Sequence, residues 1–461
     1  MDTVWFLSMA LPLLANLIGG ICSQPIDSFD DAVPLSDMDI LTERNPIETD
    51  DGDPLIEGDI VLPPLTDEEK NEVEDELQVR KGLLNILSLW PSGRVAYNFH
   101  SSVNKETRTR IRLAMDEWEN RTCLRFHETL LDFNYLRFRT DKGGCWSLVG
   151  RQNRLFSGQD VSIGPGCERN IIFYQVPVIV HEIGHAIGMY HEQSRLDRDG
   201  YVTILWNNIP PGMTSQFSSN MDYPRGVEYD YTSIMHYSSM AFTKQLFQKN
   251  TIVTKNPHYQ RLLGSGKVIS FRDAKLANKM YSCSAFCPNL LNETQQCQNS
   301  GYMAPYNGDG KPCPCVCPPG ATGEFCETVI NQEYYSPPIC GGNVTEETTI
   351  QTPNYPNREI PNDSCSWWIQ APRGKRVMVT FEDFSFYPRL ASRTSKYRGR
   401  CLQERVEIRI KSMSEGNMYC GEDIKPGTNL ASKGQQFIII ITSNGGLQGT
   451  RGLKAKVSFI K

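Results

Sequence analysis

The sequence lacks any long apolar stretch beyond its first 18 residues, so no membrane-spanning helix is expected in the rest of the chain. It also lacks internal repeats and low-complexity tracts. A hydrophobic content of 39% and a charged content of 22% are those of ordinary globular protein, which argues against a chain that is disordered throughout. At 461 residues the chain is too long for one core, and roughly one domain per 150 residues predicts about two to four units.

The apolar exception is an uncharged run from Val4 to Ile18, which is followed by small residues suited to cleavage before Ser23. We therefore expect a signal peptide over residues 1–22 and a secreted, extracellular protein. Asp2 and the missing Lys or Arg ahead of the run depart from the usual pattern. The alternative is an uncleaved membrane anchor of about 19 residues.

Cysteine is abundant, with 15 residues, and this density indicates export because thiols persist as disulfides only in an oxidising compartment. If cleavage removes Cys22, fourteen remain and all of them can pair. They form three clusters of even size, as closed domains require: Cys123, Cys145, Cys167 and Cys283; Cys287, Cys297, Cys313, Cys315, Cys317 and Cys326; and Cys340, Cys365, Cys401 and Cys420. Asn-x-Ser/Thr sequons support secretion weakly and predict glycosylation at Asn120, Asn292, Asn343 and Asn362.

Acidic residues are concentrated near the start of the chain. Between Ser23 and Arg80 there are 19 Asp and Glu against three Lys and Arg, whereas 33 acids face 44 bases from Lys81 onward. The two parts should attract each other. The alternative is that an acidic segment poor in aromatics is disordered and solvated, and we prefer this for most of Ser23 to Asp53. An amphipathic helix is expected from Thr66 to Val79. The dibasic pair Arg80 and Lys81 follows this helix, and the composition after the pair is that of a globular domain. We place a domain boundary there, with an acidic propeptide over residues 23–80.

Histidine is scarce, with seven residues, yet four of them lie between His181 and His236. His181 and His185 are four apart, which places both imidazoles on one face of a helix, within reach of a single ion. Gly188 allows the chain to turn out of that helix, so that His191 can approach the ion from another side. Three neutral histidine ligands leave a tetrahedral Zn²⁺ one open position for water, which is typical of a catalytic site.

Glu182 lies next to His181 and about 100° around the helix, close to the open position, and this favours it as the general base. A lone histidine on a helix more often serves packing. Here the string HEIGHAIGMYH fixes five positions at once, and its chance occurrence is on the order of 10⁻⁵. The active-site helix is predicted from about Pro177 to Ile187, and a core-packing helix from Thr107 to Glu119.

The chain resembles the astacin zinc endopeptidases, a branch of the metzincins, through the string HEIGHAIGMYHEQSRLDRD. The resemblance continues through GCWSLVGRQ, SIGPGC, YVTILWNNI and YTSIMHY, and it covers about Lys81 to Cys283. It implies an α+β fold, in which a two-lobed metzincin-type protease domain over residues 81–283 has a mixed sheet and an active-site helix. It also implies a secreted metalloendopeptidase that is made as a zymogen and binds one Zn²⁺ in this domain.

The resemblance assigns expected roles to residues around the motif. Met235 would form the methionine turn beneath the three histidines. Tyr237 would be an additional zinc ligand at rest and would then donate a hydrogen bond to the oxyanion. Glu192 would meet the new N-terminus that activation releases, with cleavage after Arg80 and, as the alternative, after Lys81.

Latency has an expected residue too. Ile56 to Asp59 resembles the family's propeptide motif, in which an aspartate occupies the zinc position meant for water, so Asp59 would block the site. Ile56 departs from the usual aromatic. Leu262 to Ile269 departs as well, which leaves open the family's common preference for acidic residues beyond the scissile bond. The implied disulfides of this domain are Cys123 with Cys283 and Cys145 with Cys167.

Two modules are expected behind the protease. Residues 284–327 end in CVCPPGATGEFC and resemble an EGF-like module without the acidic residues of its calcium-binding form, and residues 328–339 would be a linker. Residues 340–461 resemble a CUB domain, an all-β sandwich. Glu404 and Asn444 stand where many CUB domains bind Ca²⁺ through acidic loop residues, so we expect weak or absent calcium binding. Spacing alone selects no pairing of the cysteines, but the resemblance implies Cys287 with Cys313, Cys297 with Cys315, Cys317 with Cys326, Cys340 with Cys365, and Cys401 with Cys420.

The CUB-like domain is basic, with 18 Lys and Arg against 11 acids. Five of its cations crowd one segment: Arg389, Arg393, Lys396, Arg398 and Arg400. A charge run of this kind is usually a solvated loop. The alternative is a site for sulfated glycans or an acidic matrix protein. The other expected partners are extracellular protein substrates, with no nucleic acid and no stable membrane span.

A second interpretation of the whole chain is a matrix or adhesion protein whose protease-like domain is inactive. Losing any member of the catalytic set would favour that interpretation, and the sequence retains all of them: His181, Glu182, His185, His191 and Tyr237. The domain order resembles that of nematode astacins, whose roles include cuticle collagen processing, hatching and digestion. The sequence does not choose among these roles.

Overall fold

The computed structural model describes residue 49 and residues 55–61, 88–152, 158–165, 167, 175–219, 224–288, 296–357, 364–393, 395–443 and 449–461. Several predicted features lie outside these residues: the signal peptide, the Thr66–Val79 helix, the cleavage site at Arg80 and Lys81, and Asn292, Asn362 and Asn444. Within the described ranges, no helix has the length and apolarity needed to cross a membrane.

The first unit is built on a mixed sheet of seven strands. They are β1 (Leu55–Ile56), β2 (Ile60–Val61), β3 (Arg94–Phe99), β4 (Arg125–Glu128), β5 (Leu136–Arg139), β6 (Cys145–Leu148) and β7 (Gln159–Ile163). The order across the sheet is β1-β2-β6-β7-β5-β3-β4, and β6 is antiparallel to β7, whereas β7, β5, β3 and β4 are mutually parallel. Residues 55–61, called the N-terminal segment below, therefore extend the sheet at the β6 edge.

In the part of the chain that the structure describes, three α-helices accompany the sheet: α1 (Lys105–Glu119), α2 (Gln175–Ala186) and α3 (Phe271–Met280). α1 begins two residues before its predicted start because the side chain of Asn104 caps it, accepting from the backbone N–H of Thr107 at 2.9 Å. α2 also begins two residues early, so Pro177 lies inside its first turn, where the missing N–H costs nothing. Gly188 ends α2 as predicted, with a φ of 109° that glycine adopts readily.

The core of the first unit fixes α2 in place. Trp118 of α1 is fully buried, and its indole N–H donates to the backbone carbonyl of Val180 in α2 at 3.1 Å. The indole N–H of Trp90, which is also buried, donates to the carbonyl of Ala186 at 2.9 Å. Each ring thus buries a large apolar area while its polar atom stays paired. Packing from two sides therefore holds the helix that carries His181 and His185.

Behind α2 the chain continues in short 3₁₀ turns, a two-stranded sheet and α3. The sheet pairs β8 (Val202–Ile204) with β9 (Ile252–Thr254) in antiparallel register. α3 opens with a capping box in which Ser270 and Asp273 exchange hydrogen bonds between side chain and backbone. Helices packed on one sheet, followed by a part with little regular structure, make up the two lobes expected of the α+β domain.

Among the described residues, seven disulfides form, in the pairs implied above. They join Cys123 to Cys283, Cys145 to Cys167, Cys287 to Cys313, Cys297 to Cys315, Cys317 to Cys326, Cys340 to Cys365, and Cys401 to Cys420. The first of them spans 160 residues and ties the chain after α3 to the loop after α1. Such a long closed loop restricts the unfolded chain most strongly.

The middle segment consists of two short hairpins: β10 (Tyr302–Met303) with β11 (Cys315–Val316), and β12 (Ala321–Thr322) with β13 (Thr328–Val329). The residues after β13, expected to be a plain linker, pack on the first unit. Tyr335 is only 8% exposed, and its hydroxyl donates to the backbone carbonyl of Tyr229 at 3.1 Å. The guanidinium of Arg272 lies 3.7 Å from the centre of the Tyr334 ring. The linker is therefore anchored rather than free.

The C-terminal unit is a β-sandwich, called the sandwich domain below. Its strands are β14 (Cys340–Val344), β15 (Thr348–Gln351), β16 (Ser364–Gln370), β17 (Arg376–Ser385), β18 (Glu404–Arg409), β19 (Asn417–Tyr419), β20 (Asn429–Ala431), β21 (Gln436–Ser443) and β22 (Gly452–Ile460). One sheet has the order β14-β16-β21-β18-β19 and the other β15-β22-β17-β20. Alternate residues of both sheets, such as Phe381 and Phe437, fill the space between them.

The sandwich domain lies against the first unit through buried polar contacts. Glu407 and Arg409 of β18 form an ion pair at 2.7 Å. Asn250 of the first unit donates from Nδ2 to Glu407 at 3.0 Å, and Arg409 donates to Oε1 of Gln260 at 3.2 Å. Both buried charges thus have partners, without which their desolvation would be costly. This interface positions the sandwich domain beside the lobe that follows α2.

Candidate metal centre

The Nε2 atoms of three buried histidines converge at one point. Those of His181 and His185 are 3.1 Å apart, and that of His191 lies 3.3 Å from His181. The Nδ1 atom of His181 is 2.7 Å from the carbonyl of Ile234, and that of His185 is 2.8 Å from the carbonyl of Met189. Because a carbonyl only accepts, both Nδ1 atoms carry the proton, and the Nε2 lone pairs are left for a cation.

Asp59 of the N-terminal segment completes this group. Its Oδ2 lies 3.1 Å from Nε2 of His181 and 3.3 Å from Nε2 of His191, and its Oδ1 lies 3.5 Å from Nε2 of His185. All four side chains are buried. Burial by itself raises the pKa of Asp59, but the positive charge that His191 and His185 carry when they are protonated, together with hydrogen bonds to the histidines, brings that pKa well below its usual value. The carboxylate is therefore ionised where the histidines meet.

The separations fit a zinc ion. Zinc–nitrogen bonds of about 2.0–2.1 Å in a tetrahedron place neighbouring ligand atoms about 3.3 Å apart. The observed Nε2 separations of 3.1 and 3.3 Å match this edge. Three neutral imidazoles and one carboxylate are also a donor set that zinc accepts. Three histidines would hold the ion, and Asp59 would take the position that a catalytic site otherwise leaves to water.

Glu182 lies fully buried next to this group on α2. Neither of its carboxylate oxygens has a hydrogen-bond partner among the described residues. Burial, and then the nearby charge of Asp59, raise the pKa of Glu182 well above its usual value. A buried carboxyl group without a partner is costly in a purely structural role. It is suited to taking a proton from a water that replaces Asp59.

Tyr237 lies on the other side of the histidines, with its ring centre 4.5 Å from that of His191. Its hydroxyl donates to the backbone carbonyl of Glu57 in the N-terminal segment. Burial, followed by the charges of Asp59 and Glu57, raises the pKa of Tyr237 well above its usual value, so the hydroxyl stays a donor. The role of Tyr237 as a zinc ligand stays a prediction.

Met235 forms the floor beneath α2. It is fully buried, and a Cβ added to Gly184 of α2 would lie 2.6 Å from its Sδ.

The fourth histidine of the cluster, His236, does not join the metal centre and is hydrogen-bonded within the protein. Its Nδ1 lies 2.7 Å from the carbonyl of Tyr237, and its Nε2 lies 2.7 Å from the hydroxyl of Tyr229. Burial lowers the pKa of His236 to about 4, and the ring is therefore neutral.

Glu192 follows the third histidine and points away from the metal centre. It accepts from Arg195 Nη1 at 2.9 Å and from the backbone N–H of Asp230 at 2.7 Å. Burial raises the pKa of Glu192 to about 8, although the charge of Arg195 opposes this. The terminus that it was expected to meet, at Lys81, lies outside the described residues. Its role in activation therefore stays a prediction.

Two sets of contacts that hold the N-terminal segment were not predicted. Oε2 of Glu57 lies 2.7 Å from Nδ1 of His191, so a carboxylate of this segment sets the tautomer of the third histidine. Gln216 accepts from the N–H of Gly58 at 2.8 Å and donates to the carbonyl of Leu55 at 3.2 Å. Glu57 was visible as part of the propeptide motif. Gln216 lies in a short 3₁₀ helix (Thr214–Phe217), and no pattern in the sequence there could reveal this contact.

Gly58 allows the N-terminal segment to lie close to the wall of the cleft. Its φ is 81°, and an added Cβ would lie 2.6 Å from Cζ of Phe242. Only glycine fits both conditions. The ring of Phe242 in turn lies 5.8 Å from that of Tyr237, measured between their centres. Phe242 thus forms part of the cleft wall beside the metal centre, and a chain bound in the cleft lies against it.

Comparison with known proteins agrees with this geometry. Residues 83–282 match the Astacin peptidase family, and residues 340–456 match the CUB domain family. The chain is 36% identical over 422 residues to "Zinc metalloproteinase dpy-31" of Caenorhabditis elegans and 34% identical over 418 residues to "Blastula protease 10" of Paracentrotus lividus. These alignments cover 87% of this chain, and 65% and 64% of the respective relatives. The chain therefore spans a little under two thirds of their length.

Two further similarities have different coverage. "Zinc metalloproteinase dpy-31" of Haemonchus contortus is 34% identical over 421 residues, which cover 87% of this chain and 70% of that relative. The solved structure of High choriolytic enzyme 1, a hatching enzyme zinc-protease of the medaka fish Oryzias latipes, has a TM-score of 0.38 and 29% identity. It covers 43% of this chain and 96% of that one.

The family matches confirm the expected protease and CUB domains and the α+β fold class, whereas the EGF-like module stays a prediction. The residues that gather at the metal centre lie in the matched region, apart from those of the N-terminal segment. The chain belongs to the astacin family of zinc metalloproteinases and carries a C-terminal CUB domain.

Proposed function

We propose that this chain is a secreted, zinc-dependent endopeptidase made as a latent precursor, and that it hydrolyses peptide bonds of extracellular proteins. The convergence of three histidine Nε2 atoms under Asp59, beside the unpartnered carboxylate of Glu182, carries this proposal. Family membership and the relatives named zinc metalloproteinases support it. Because the chain spans only part of those relatives, the proposed activity is argued from the geometry of this site rather than from the relatives.

The chemistry divides among five side chains. His181, His185 and His191 would hold the zinc through Nε2, and zinc, when bound, supplies a Lewis acid that lowers the pKa of water toward about 7. Glu182 takes the proton of the attacking water as oxygen bonds to the peptide carbon, and then gives it to the leaving amine as the C–N bond breaks. Tyr237 donates its hydroxyl to the carbonyl oxygen, on which negative charge develops.

The N-terminal segment accounts for latency, because it engages four of these five side chains at once, the three histidines and Tyr237. Asp59 lies at the position meant for water. The backbone carbonyl of Glu57 accepts from Tyr237, and the carboxylate of Glu57 binds Nδ1 of His191. Cleavage after Arg80 or Lys81 would cut this segment from the protease domain and let it leave the cleft.

The second candidate is a matrix or adhesion protein with an inactive protease-like domain. A missing or misplaced group at the centre would favour it. The described residues instead bring the three histidines, Glu182 and Tyr237 together. An unpartnered buried carboxylate is also hard to account for without a reaction that uses it. We therefore favour the interpretation as an active enzyme. Cuticle processing, hatching and digestion are equally open as its biological role.

The test uses the processed chain and a fluorescent protein substrate. A chelator should abolish cleavage, and added Zn²⁺ should restore it. Glu182→Gln should lower kcat by about 10²–10⁴-fold while one zinc per chain is retained in elemental analysis. The matched control is Glu106→Gln, whose side chain is 64% exposed at the first turn of α1, and it should cleave normally. Cleavage that persists with chelator, or in Glu182→Gln, overturns the mechanism.

The glycan or matrix partner of the basic segment is a separate proposal, and the structure divides its five cations into groups. Arg389 pairs with Asp423 at 2.7 Å. Arg393 and Arg398 are exposed on the surface. Lys396 and Arg400 line a cavity beside the protease domain. These cations therefore do not form one uniform surface for a polyanion.

A further inference from the structure

A cavity of about 350 Å³ lies between the protease domain and the CUB domain, next to the cleft but separate from the metal centre. The protease domain contributes one wall and the basic segment of the CUB domain the other. Residues that line it include Met213, Phe242 and Lys244 on the first side, and Lys396, Tyr397 and Arg400 on the second. Neither domain could form this cavity alone.

The two walls are held together by direct contacts. The ring of Phe247 lies 5.4 Å from that of Tyr397, edge to face, and the guanidinium of Arg405 lies 5.6 Å from the Phe247 ring. Phe242 and Phe247 both have positive φ, 51° and 62°, and they bracket the turn 243–246 that lines the cavity. Backbone strain of this kind persists only where surrounding contacts impose it, and it occurs most often at functional sites.

The cavity adjoins the cleft that the N-terminal segment occupies. This segment is a hairpin in which Leu55 pairs with Val61 beside β6, and its turn at residues 57–59 lies over the histidines. Gln216 binds the turn through the N–H of Gly58 and binds the carbonyl of Leu55. Gln216 belongs to the turn that directly follows Met213, and Met213 lines the cavity. Phe242 lines the cavity as well and contacts Gly58 in the cleft. A substrate chain that continues past the position of Gly58, instead of turning back there, passes Phe242 and comes to lie beside the cavity.

The charge of the cavity selects the kind of peptide. Three of its lining residues are cations, Lys244, Lys396 and Arg400, and none of the described lining residues is acidic. Nζ of Lys244 donates to the carbonyl of Asn207 at 3.0 Å, which leaves further ammonium protons for a ligand. Apolar side chains such as Met213 and Phe242 line the same cavity. A low-dielectric wall next to cations strengthens their attraction for a carboxylate.

We propose that this cavity is a substrate subsite, formed jointly by the protease and CUB domains, that binds an acidic segment of a protein substrate several residues away from the bond that is cut. The subsite rests on the proposed peptidase function and deepens it. Lys396 and Arg400 make the CUB domain part of substrate selection. A sulfated glycan is the competing ligand, and the experiment separates the two.

The experiment compares charge reversals at two places in the same basic segment. Lys396→Glu with Arg400→Glu removes the CUB cations of the cavity, and Arg393→Glu with Arg398→Glu makes the same change in charge at exposed positions that do not line it. Peptides with one cleavable core carry four-residue extensions at either end, built from Asp and Glu or from Ser and Asn. We expect the unmutated processed enzyme to favour an acidic extension about tenfold in kcat/KM. That preference should vanish in the first double variant and persist in the second.

Binding gives a readout that does not need turnover. In the Glu182→Gln background, fluorescence anisotropy should show the acidic peptide bound about tenfold more weakly after the first double change than after the second. Lys396→Ala with Arg400→Ala, a milder change, should give an intermediate loss. Equal losses in both double variants, no preference for acidic extensions, or loss of heparin oligosaccharide binding alone would overturn the subsite. If no core peptide is cut by any enzyme, the proposed function fails, while the binding comparison still decides the subsite.

Discussion

The Oδ2 atom of Asp59 lies 3.1 Å from Nε2 of His181, although 122 residues separate the two in sequence. Asp59 comes from the N-terminal segment and His181 from α2. The carboxylate therefore reaches the point where the histidine lone pairs meet, and it leaves no room there for water. In the proposed mechanism, latency follows from the occupation of this ligand position by Asp59.

Replacing Asp59 should release activity without processing. In a chain that carries Arg80→Ala and Lys81→Ala to block cleavage, Asp59→Ala should hydrolyse a quenched peptide at least about tenfold faster than the blocked parent. The reason is that a lost contact worth about 1.4 kcal/mol shifts the balance between closed and open cleft about tenfold. Asp53→Ala, which removes another acid of the same propeptide, serves as control. Equal rates for the two variants would show that Asp59 does not maintain latency.

Tyr237 should matter for the chemical step rather than for folding. Tyr237→Phe removes the hydroxyl that donates to Glu57 in the latent form and, in the proposed mechanism, to the oxyanion. Loss of one oxyanion donor lowers kcat by about 10²–10³-fold, and KM should change little. Steady-state kinetics of the processed enzyme, with zinc content measured alongside, checks this. Tyr419→Phe in the CUB domain should behave as the parent, and a Tyr237→Phe enzyme of normal kcat would exclude the assigned role.

Gly184 should be irreplaceable because of Met235. An alanine at position 184 gains about 1 kcal/mol of helix propensity, but its Cβ would lie 2.6 Å from the buried Sδ of Met235, and such overpacking costs about 1–3 kcal/mol. Gly184→Ala should therefore weaken zinc binding and lower the free energy of unfolding, both measured on the purified precursor. Gly200→Ala has open space around the added Cβ and should be close to neutral. If the two variants unfold alike, Met235 is not the rigid floor described.

The sequence predicted those parts of the site that depend on local geometry. Residues four apart share a helix face whatever the rest of the fold does, so His181 and His185 could be placed on α2 from spacing alone. Gly188 could likewise be identified as the end of that helix. Asp59 was accessible only through its resemblance to a known motif. Nothing in its spacing indicates a contact across 122 residues.

The contacts that hold domains and segments together could not be predicted, because they depend on tertiary packing. Gln216 and Tyr335 lie in stretches without periodicity, and their partners are remote in sequence. The five cations of the basic segment look alike in sequence. Only the fold separates Arg389, which is paired with Asp423, from Arg400, which faces a cavity.

Asp273 should make stability depend on pH in the direction opposite to most carboxylates. It is buried at the start of α3, and burial, together with the charge of Asp230, raises its pKa from 3.8 to about 6. The folded protein therefore keeps this proton when the unfolded chain has lost it. Its contribution to stability is complete below about pH 4 and is lost as pH rises through about 6, by roughly 3 kcal/mol. In urea unfolding, the stability of the parent relative to Asp273→Asn should therefore fall by roughly 3 kcal/mol between pH 4 and pH 7, because the asparagine does not titrate. Asp199→Asn, with a side chain 78% exposed, should show no such change, and a pH-independent difference for Asp273→Asn would contradict the raised pKa.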